Sequence, residues 1–140
     1  MKRQVLTLVG VLSLLLAAGS AFAQTIKVRA DVPFKFIINK ETLPAGQYTI
    51  ESFGSLDGRT LSIRSADMNA KAMVRANSVQ SRQAAEETKL VFLHYGDLYF
   101  LSQIWVAGRV SGHQLPKSAR ETELARDSRP LETIVAALLK

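Results

Sequence analysis

The sequence predicts a mainly β fold of about six antiparallel strands, arranged as a meander that forms a small barrel or sandwich, with helices at the C-terminus. Apolar and polar residues alternate through much of the first hundred positions, as expected for strands with one buried face. Two pairs, Asp57-Gly58 and Gly96-Asp97, lie between such segments and have the composition of two-residue hairpin turns. Helical periodicity begins only after residue 115. These patterns indicate a β domain over residues 24–115 and a helical segment over residues 116–140 that packs on it.

The first 23 residues have the three regions of a signal peptide. Lys2 and Arg3 form a positive start, residues 5–18 are almost wholly apolar, and Ala21-Phe22-Ala23 provides a small-x-small cleavage signal before Gln24. A membrane anchor is the alternative, but the apolar run has roughly 14 residues, whereas a spanning helix needs about 20. We therefore expect a protein that is periplasmic or secreted, begins near Gln24 and has no membrane span after cleavage.

Composition narrows the possible functions. The chain has 18 Lys and Arg against 12 Asp and Glu, a net charge of +6 that falls to +4 when Lys2 and Arg3 leave with the signal peptide. The remaining basic residues are scattered, and export separates the protein from the genome, so we do not expect nucleic acid as a partner. The absence of cysteine excludes disulfides, thiolate catalysis, zinc–thiolate sites and the lipid anchor of a bacterial lipoprotein.

Strands are expected in order along the mature chain. Residues 26–38 alternate cleanly, with a bend or a change of partner at Pro33, because proline has no N–H to give to a ladder. Leu43-Pro44-Ala45-Gly46 has the composition of a turn. Further strands follow at residues 47–53, 59–65 and about 72–80.

The most apolar pair of strands covers residues 89–95 and 98–106. A type II′ turn at Gly96-Asp97 fixes the register so that His94 pairs with Tyr99. Regular alternation then places Gln103 and Trp105 on the same face as His94 and Tyr99. Because both faces are largely apolar, this hairpin is expected to be central and covered on both sides.

Two helices are predicted after residue 115. Residues 117–127 are charged with mixed signs, which indicates a solvated helix opened by Pro116. Pro130 starts a second helix, whose apolar stripe consists of Leu131, Ile134, Val135, Leu138 and Leu139. We expect this stripe to dock on the sheet; the alternative is contact with a membrane or a partner.

Three local patterns occur in a characteristic order. They are Val32-Pro33-Phe34-Lys35-Phe36 with Leu43-Pro44-Ala45-Gly46-Gln47-Tyr48, His94-Tyr95-Gly96-Asp97-Leu98-Tyr99-Phe100-Leu101 with Trp105, and Leu115-Pro116-Lys117-Ser118 before a Glu- and Arg-rich helix. Together they resemble a group of small, uncharacterised exported proteins of acidobacterial type. The resemblance implies an exported, β-rich domain with no established activity, and it assigns no catalytic residue.

The candidate ligand-binding residues are His94, Tyr99, Gln103 and Trp105, whose polar tips on one sheet face could line a cleft. Catalytic motifs are missing: the chain has two histidines, no His-Glu-x-x-His, no Gly-x-Ser-x-Gly and no phosphate-binding glycine loop. We therefore predict a noncatalytic envelope module, without metal or cofactor, that binds an unidentified protein or small ligand. The alternative is a hydrolase-like enzyme that uses His94 in a sheet-face cleft, which requires a nearby carboxylate.

Overall fold

The computed structural model describes residues 26–52 and 58–139, which form eleven β-strands and one α-helix. The strands are β1 Lys27–Val32, β2 Phe36–Ile38, β3 Glu41–Leu43, β4 Gly46–Ser52, β5 Thr60–Ser65, β6 Lys71–Arg75, β7 Asn77–Gln80, β8 Lys89–Tyr95, β9 Leu98–Trp105, β10 Ser111–Gln114 and β11 Leu131–Leu139; the helix is α1, Ala119–Asp127. The predicted signal peptide and Asp57 of the predicted Asp57-Gly58 turn lie outside the described residues.

The strands form one nearly closed, barrel-like sheet in the order β3-β2-β9-β8-β11-β1-β4-β5-β6. Strand β7 continues directly from β6 and pairs with β10, which in turn pairs with the last part of β9, so one end of the barrel wall is closed. At the other end β9 pairs instead with β2, and the sheet stops at β3. The predicted six-strand meander is therefore wrong in strand number and in order, although the mainly β, barrel-like character is confirmed.

The first alternating segment folds as predicted. Its alternate apolar residues from Ile26 to Ile38 point into the barrel, where all but Phe34 are buried. The chain changes partners at Pro33: β1 pairs with β4 and β11, whereas β2 pairs with β3 and β9. Phe34 lies in the crossing between the two strands and packs against the core. The loss of the N–H at Pro33 is tolerated because the ladder is already interrupted there.

The β8–β9 hairpin has the predicted register at its turn, with His94 opposite Tyr99 and Tyr95 opposite Leu98. Gly96 has a φ of 61°, and Asp97 is not among the residues of positive φ, as a type II′ turn requires. Farther along, a β-bulge leaves Ser102 without an opposite residue, since Phe92 pairs with Leu101 and Val91 with Gln103. The bulge reverses the alternation of every residue that follows it in β9.

The C-terminal stripe forms a strand and not a helix. Strand β11 lies between β8 and β1, pairing with the first over Leu131–Ala136 and with the second over Ala137–Leu139. Val135 is buried, whereas Ile134 and Leu138 remain 49% and 72% exposed. The apolar spacing fits a helix, but the β-branched run of Thr133, Ile134 and Val135 favours a strand, and two open sheet edges supply the hydrogen bonds.

Helix α1 is the one helix among the described residues, so the prediction of two C-terminal helices is wrong. Ser118 caps its N-terminus by accepting a hydrogen bond from the N–H of Glu121 at 3.2 Å. The helix packs on the outer face of the β8–β9 hairpin, where Leu124 contacts the cluster that contains Tyr95 and Phe100. This covers the hairpin on its second side, as its two apolar faces predicted.

No helix in residues 26–52 or 58–139 has the length and apolar character needed to cross a membrane.

Candidate functional site

The four predicted site residues fall into two groups on opposite faces of the sheet. His94 and Tyr99 precede the bulge and keep the predicted face, toward the barrel interior. Gln103 and Trp105 follow it and lie on the outer face with Val91, while Ile104 takes the inward position in the main core. The prediction of one shared cleft is wrong, because it assumed regular alternation past Ser102.

His94 and Tyr99 belong to an aromatic stack that closes one end of the barrel. The His94 and Tyr99 rings are stacked with centroids 4.8 Å apart, and the Phe34 and Tyr99 rings are stacked with centroids 3.9 Å apart. Phe34 also meets Phe92 edge to face at 4.9 Å. The Nδ1 of His94 lies 3.4 Å from the Gly96 carbonyl oxygen, and no carboxylate of the described residues bonds to this imidazole. The arrangement is typical of packing at a barrel end.

Gln103 and Trp105 line a shallow pocket of about 340 Å³ on the outside of the barrel. The indole N–H of Trp105 donates to Oε1 of Gln103 at 2.9 Å, so the two polar tips bond to each other. Gly112 approaches the indole so closely that an added Cβ would lie 2.8 Å from it. Trp105 is thereby packed against β10, with 8% of its surface exposed, and offers little area to a ligand.

The largest concave surfaces lie where the barrel wall is split. Strands β3 and β6 are the two ends of the sheet path, and each has one neighbouring strand among the described residues. Two adjoining clefts of about 520 and 650 Å³ lie between them, and both are lined by Glu41 of β3 and Lys71 of β6. We call this opening the β3–β6 gap. Sequence reasoning missed it, because it depends on the parallel pairing of β2 with β9, which no local pattern indicates.

Turns on both sides of the gap hold its walls in place. On one side, the Tyr48 hydroxyl donates to the Pro44 carbonyl oxygen at 2.5 Å, which fixes the turn between β3 and β4. On the other, the Asp67 carboxylate accepts hydrogen bonds from the Ser65 hydroxyl at 2.5 Å and from the Asn69 N–H at 3.1 Å. These bonds, that of Ser65 first, lower the pKa of Asp67 below its ordinary value, because they stabilise the charged carboxylate.

The gap combines strand edges with apolar and basic side chains. In an edge strand, alternate residues direct their N–H and C=O groups away from the sheet, so β3 and β6 direct such groups into the gap. Met73 of β6 lines it and is 57% exposed. Lys40 and Lys71 lie on opposite sides, and Arg64 lines the same cleft while it bonds Glu51 at 3.2 Å. This arrangement can pair with an extended backbone and attract acidic side chains.

No group of three or more His, Cys, Asp or Glu side chains suited to a metal ion occurs within the part of the chain that the structure describes.

Comparison of the chain with models of protein families, with curated proteins and with solved structures finds no match.

Proposed function

We propose that this chain is an exported, noncatalytic binding module that accepts an extended polypeptide segment in the β3–β6 gap. The observation that carries the proposal is the position of two strand edges on opposite sides of one cleft. An incoming strand can pair with either edge, so main-chain hydrogen bonds supply affinity. Binding would complete the barrel wall and remove a liability, because a free edge invites nonspecific pairing.

The side chains of the gap define the chemistry of the partner. In an added strand successive side chains point to opposite faces, so one set would face the interior of the gap and the other the solvent. Met73 offers apolar contact, while Lys40 and Lys71 offer positive charge. We infer a segment that alternates apolar residues with Asp or Glu, because the larger cleft is lined by Lys40, Arg64 and Lys71 against one acidic residue, Glu41.

The alternative function, a hydrolase-like enzyme that uses His94, has less support. A catalytic imidazole needs an orienting group and access to a substrate. In the described residues His94 instead stacks on Tyr99 and approaches the Gly96 carbonyl oxygen, and no carboxylate reaches it. A binding module therefore accounts better for the geometry.

Peptide selection with matched variants tests the proposed binding. Peptides are selected from a short random display library against the domain that starts at Gln24, and their affinity is measured by fluorescence anisotropy. Met73→Asp should weaken binding about 10- to 100-fold, because it removes one buried apolar contact and adds repulsion toward acidic residues. Leu138→Asp is the control: Leu138 is 72% exposed on β11 and lies outside the two clefts.

Amide exchange locates the bound peptide independently. Pairing with the edges should slow the exchange of β3 and β6 amides in the complex and leave the β8–β9 hairpin unchanged. Peptides that bind the Met73→Asp and Leu138→Asp variants equally, or that protect amides elsewhere on the barrel, would contradict binding in the gap.

Export is tested by the mass of the protein recovered from the cell envelope. A mass that corresponds to a chain beginning at Gln24 is expected from the signal-peptide pattern. Full-length protein that retains Met1 and stays in the cytoplasm would contradict export.

A further inference from the structure

A second cavity, of about 250 Å³, lies at the closed end of the barrel and has a different character from the β3–β6 gap. It is formed where β10 joins β7 to the end of β9. Its polar side chains are two arginines, one histidine and two serines, and none of the described residues that line it is acidic: Arg59, Arg109, His113, Ser78 and Ser111. Each of these side chains can donate hydrogen bonds, and the arginines add positive charge.

The backbone segments that carry these side chains are anchored by main-chain hydrogen bonds. His113 lies in register between Ser78 of β7 and Ile104 of β9, so its backbone is held by a ladder on both sides. The Arg109 N–H donates to the Val106 carbonyl oxygen at 3.2 Å, and the Arg109 carbonyl oxygen accepts from the Ala85 N–H at 3.0 Å. The Arg59 carbonyl oxygen accepts from the Ala76 N–H at 2.8 Å. Three segments distant in sequence therefore present their side chains from anchored positions.

The surroundings of His113 disfavour its charged form. Burial lowers the pKa of His113 below its ordinary value, and the positive charge of Arg109 lowers it further, while a hydrogen bond to the Gly58 backbone acts in the opposite direction. An anion placed between His113 and Arg109 would reverse the sign of the local potential and favour the imidazolium.

We propose that the cavity between β7, β10 and the end of β9 binds a phosphate group, held by Arg109 and His113 with the hydroxyls of Ser78 and Ser111. A tetrahedral oxyanion has acceptors in several directions, which suits donors that converge from different strands better than the planar fork of a carboxylate does. Guanidinium and imidazolium groups recognise phosphate through charge-assisted hydrogen bonds. The phosphate can be free or part of a phosphomonoester, since both present the same oxygens.

The two histidines of the chain provide a direct test in one sample. His113 lines the cavity, and His94 lies at the other end of β8 and β9, in the aromatic stack. The pKa of each is followed by NMR in the folded domain while inorganic phosphate replaces chloride at constant ionic strength. Phosphate should raise the pKa of His113 in a saturable manner and leave that of His94 unchanged. No shift at His113, or equal shifts at both histidines, would overturn the proposal.

A matched pair of arginine variants tests the ligand contact without reliance on titration. Arg109→Gln should lower phosphate affinity about 10- to 100-fold, the loss expected for a charge-assisted hydrogen bond. Arg82→Gln removes the same charge from an exposed position outside the cavity and should leave affinity unchanged. Equal weakening by both variants would show that only net charge matters and would refute a site.

Methyl phosphate binding more tightly than inorganic phosphate would identify a monoester as the ligand, and the reverse order would identify free phosphate.

Discussion

Gly112 tests how tightly β10 is packed against the rest of the barrel. A methyl group at this position would lie 2.8 Å from one carbon of the Trp105 indole and 2.9 Å from another, and 2.9 Å from the carbonyl oxygen of Ile104. These distances are well inside ordinary contact, and one of the obstacles is backbone, which cannot rotate away. Overpacking of this kind typically costs about 1–3 kcal/mol. We expect Gly112→Ala to lower the free energy of unfolding toward the upper part of that range.

The assay is denaturant unfolding followed by fluorescence, because Trp105 is the single tryptophan and lies at the perturbed contact. The variant should unfold at lower denaturant and show an emission change in its native state. A double-mutant cycle with Trp105→Phe, in which unfolding is followed by circular dichroism, separates the contact with the indole from the contact with the Ile104 carbonyl oxygen. The smaller Phe ring should restore part of the lost stability, and the contact with the carbonyl oxygen should account for the rest. A Gly112→Ala variant with unchanged stability and unchanged emission would refute the close packing of β10 on Trp105.

Three further predictions concern stability. Ending the chain at Arg129 removes β11 from between β8 and β1, so we expect no cooperative unfolding transition; a truncated chain that melts near the full-length temperature would contradict this position of the strand. Phe100→Ala empties a site that is 2% exposed beside Tyr95 and should cost about 3–5 kcal/mol in denaturant unfolding, whereas a loss below about 1 kcal/mol would place Phe100 at the periphery. Burial raises the pKa of Glu121, so its contribution to stability is present at low pH and is lost as pH rises through the folded-state value. Glu121→Gln should remove that part of the pH dependence of Tm, and identical pH profiles for the two proteins would exclude it.

Local patterns in the sequence were sufficient for those elements whose structure is decided locally. The alternation of residues 26–38 determined which side chains of β1 are buried, because that strand has one interior face. In β2 it did not, because Ile37 is buried as well, in the cluster of Tyr95 and Phe100. The Gly96-Asp97 turn determined the register of β8 and β9 near the loop, because a two-residue turn leaves no freedom in pairing.

Two errors arose where distant parts of the chain decide the outcome. The stripe of residues 131–139 satisfies helical spacing, yet the segment is a strand because β8 and β1 each have an edge that it can pair with. The candidate site was divided because one unpaired residue, Ser102, moves Gln103 and Trp105 to the outer face. Neither the free edges nor the bulge leaves a signal in composition or periodicity.

The β3–β6 gap can be traced to the interruption of a single alternating segment at Pro33. Before the interruption, β1 pairs with β4 along its whole length and with β11 at Val28–Ala30. After it, the chain crosses the end of the barrel and β2 pairs in parallel with β9. Phe34, in the crossing, fills that end by packing on Phe92 and Tyr99. The same crossing places β3 across the gap from β6, and the two strands do not pair. The filling of this barrel end by Phe34 and the open wall between β3 and β6 therefore have one cause, and the gap follows from the topology of the chain itself.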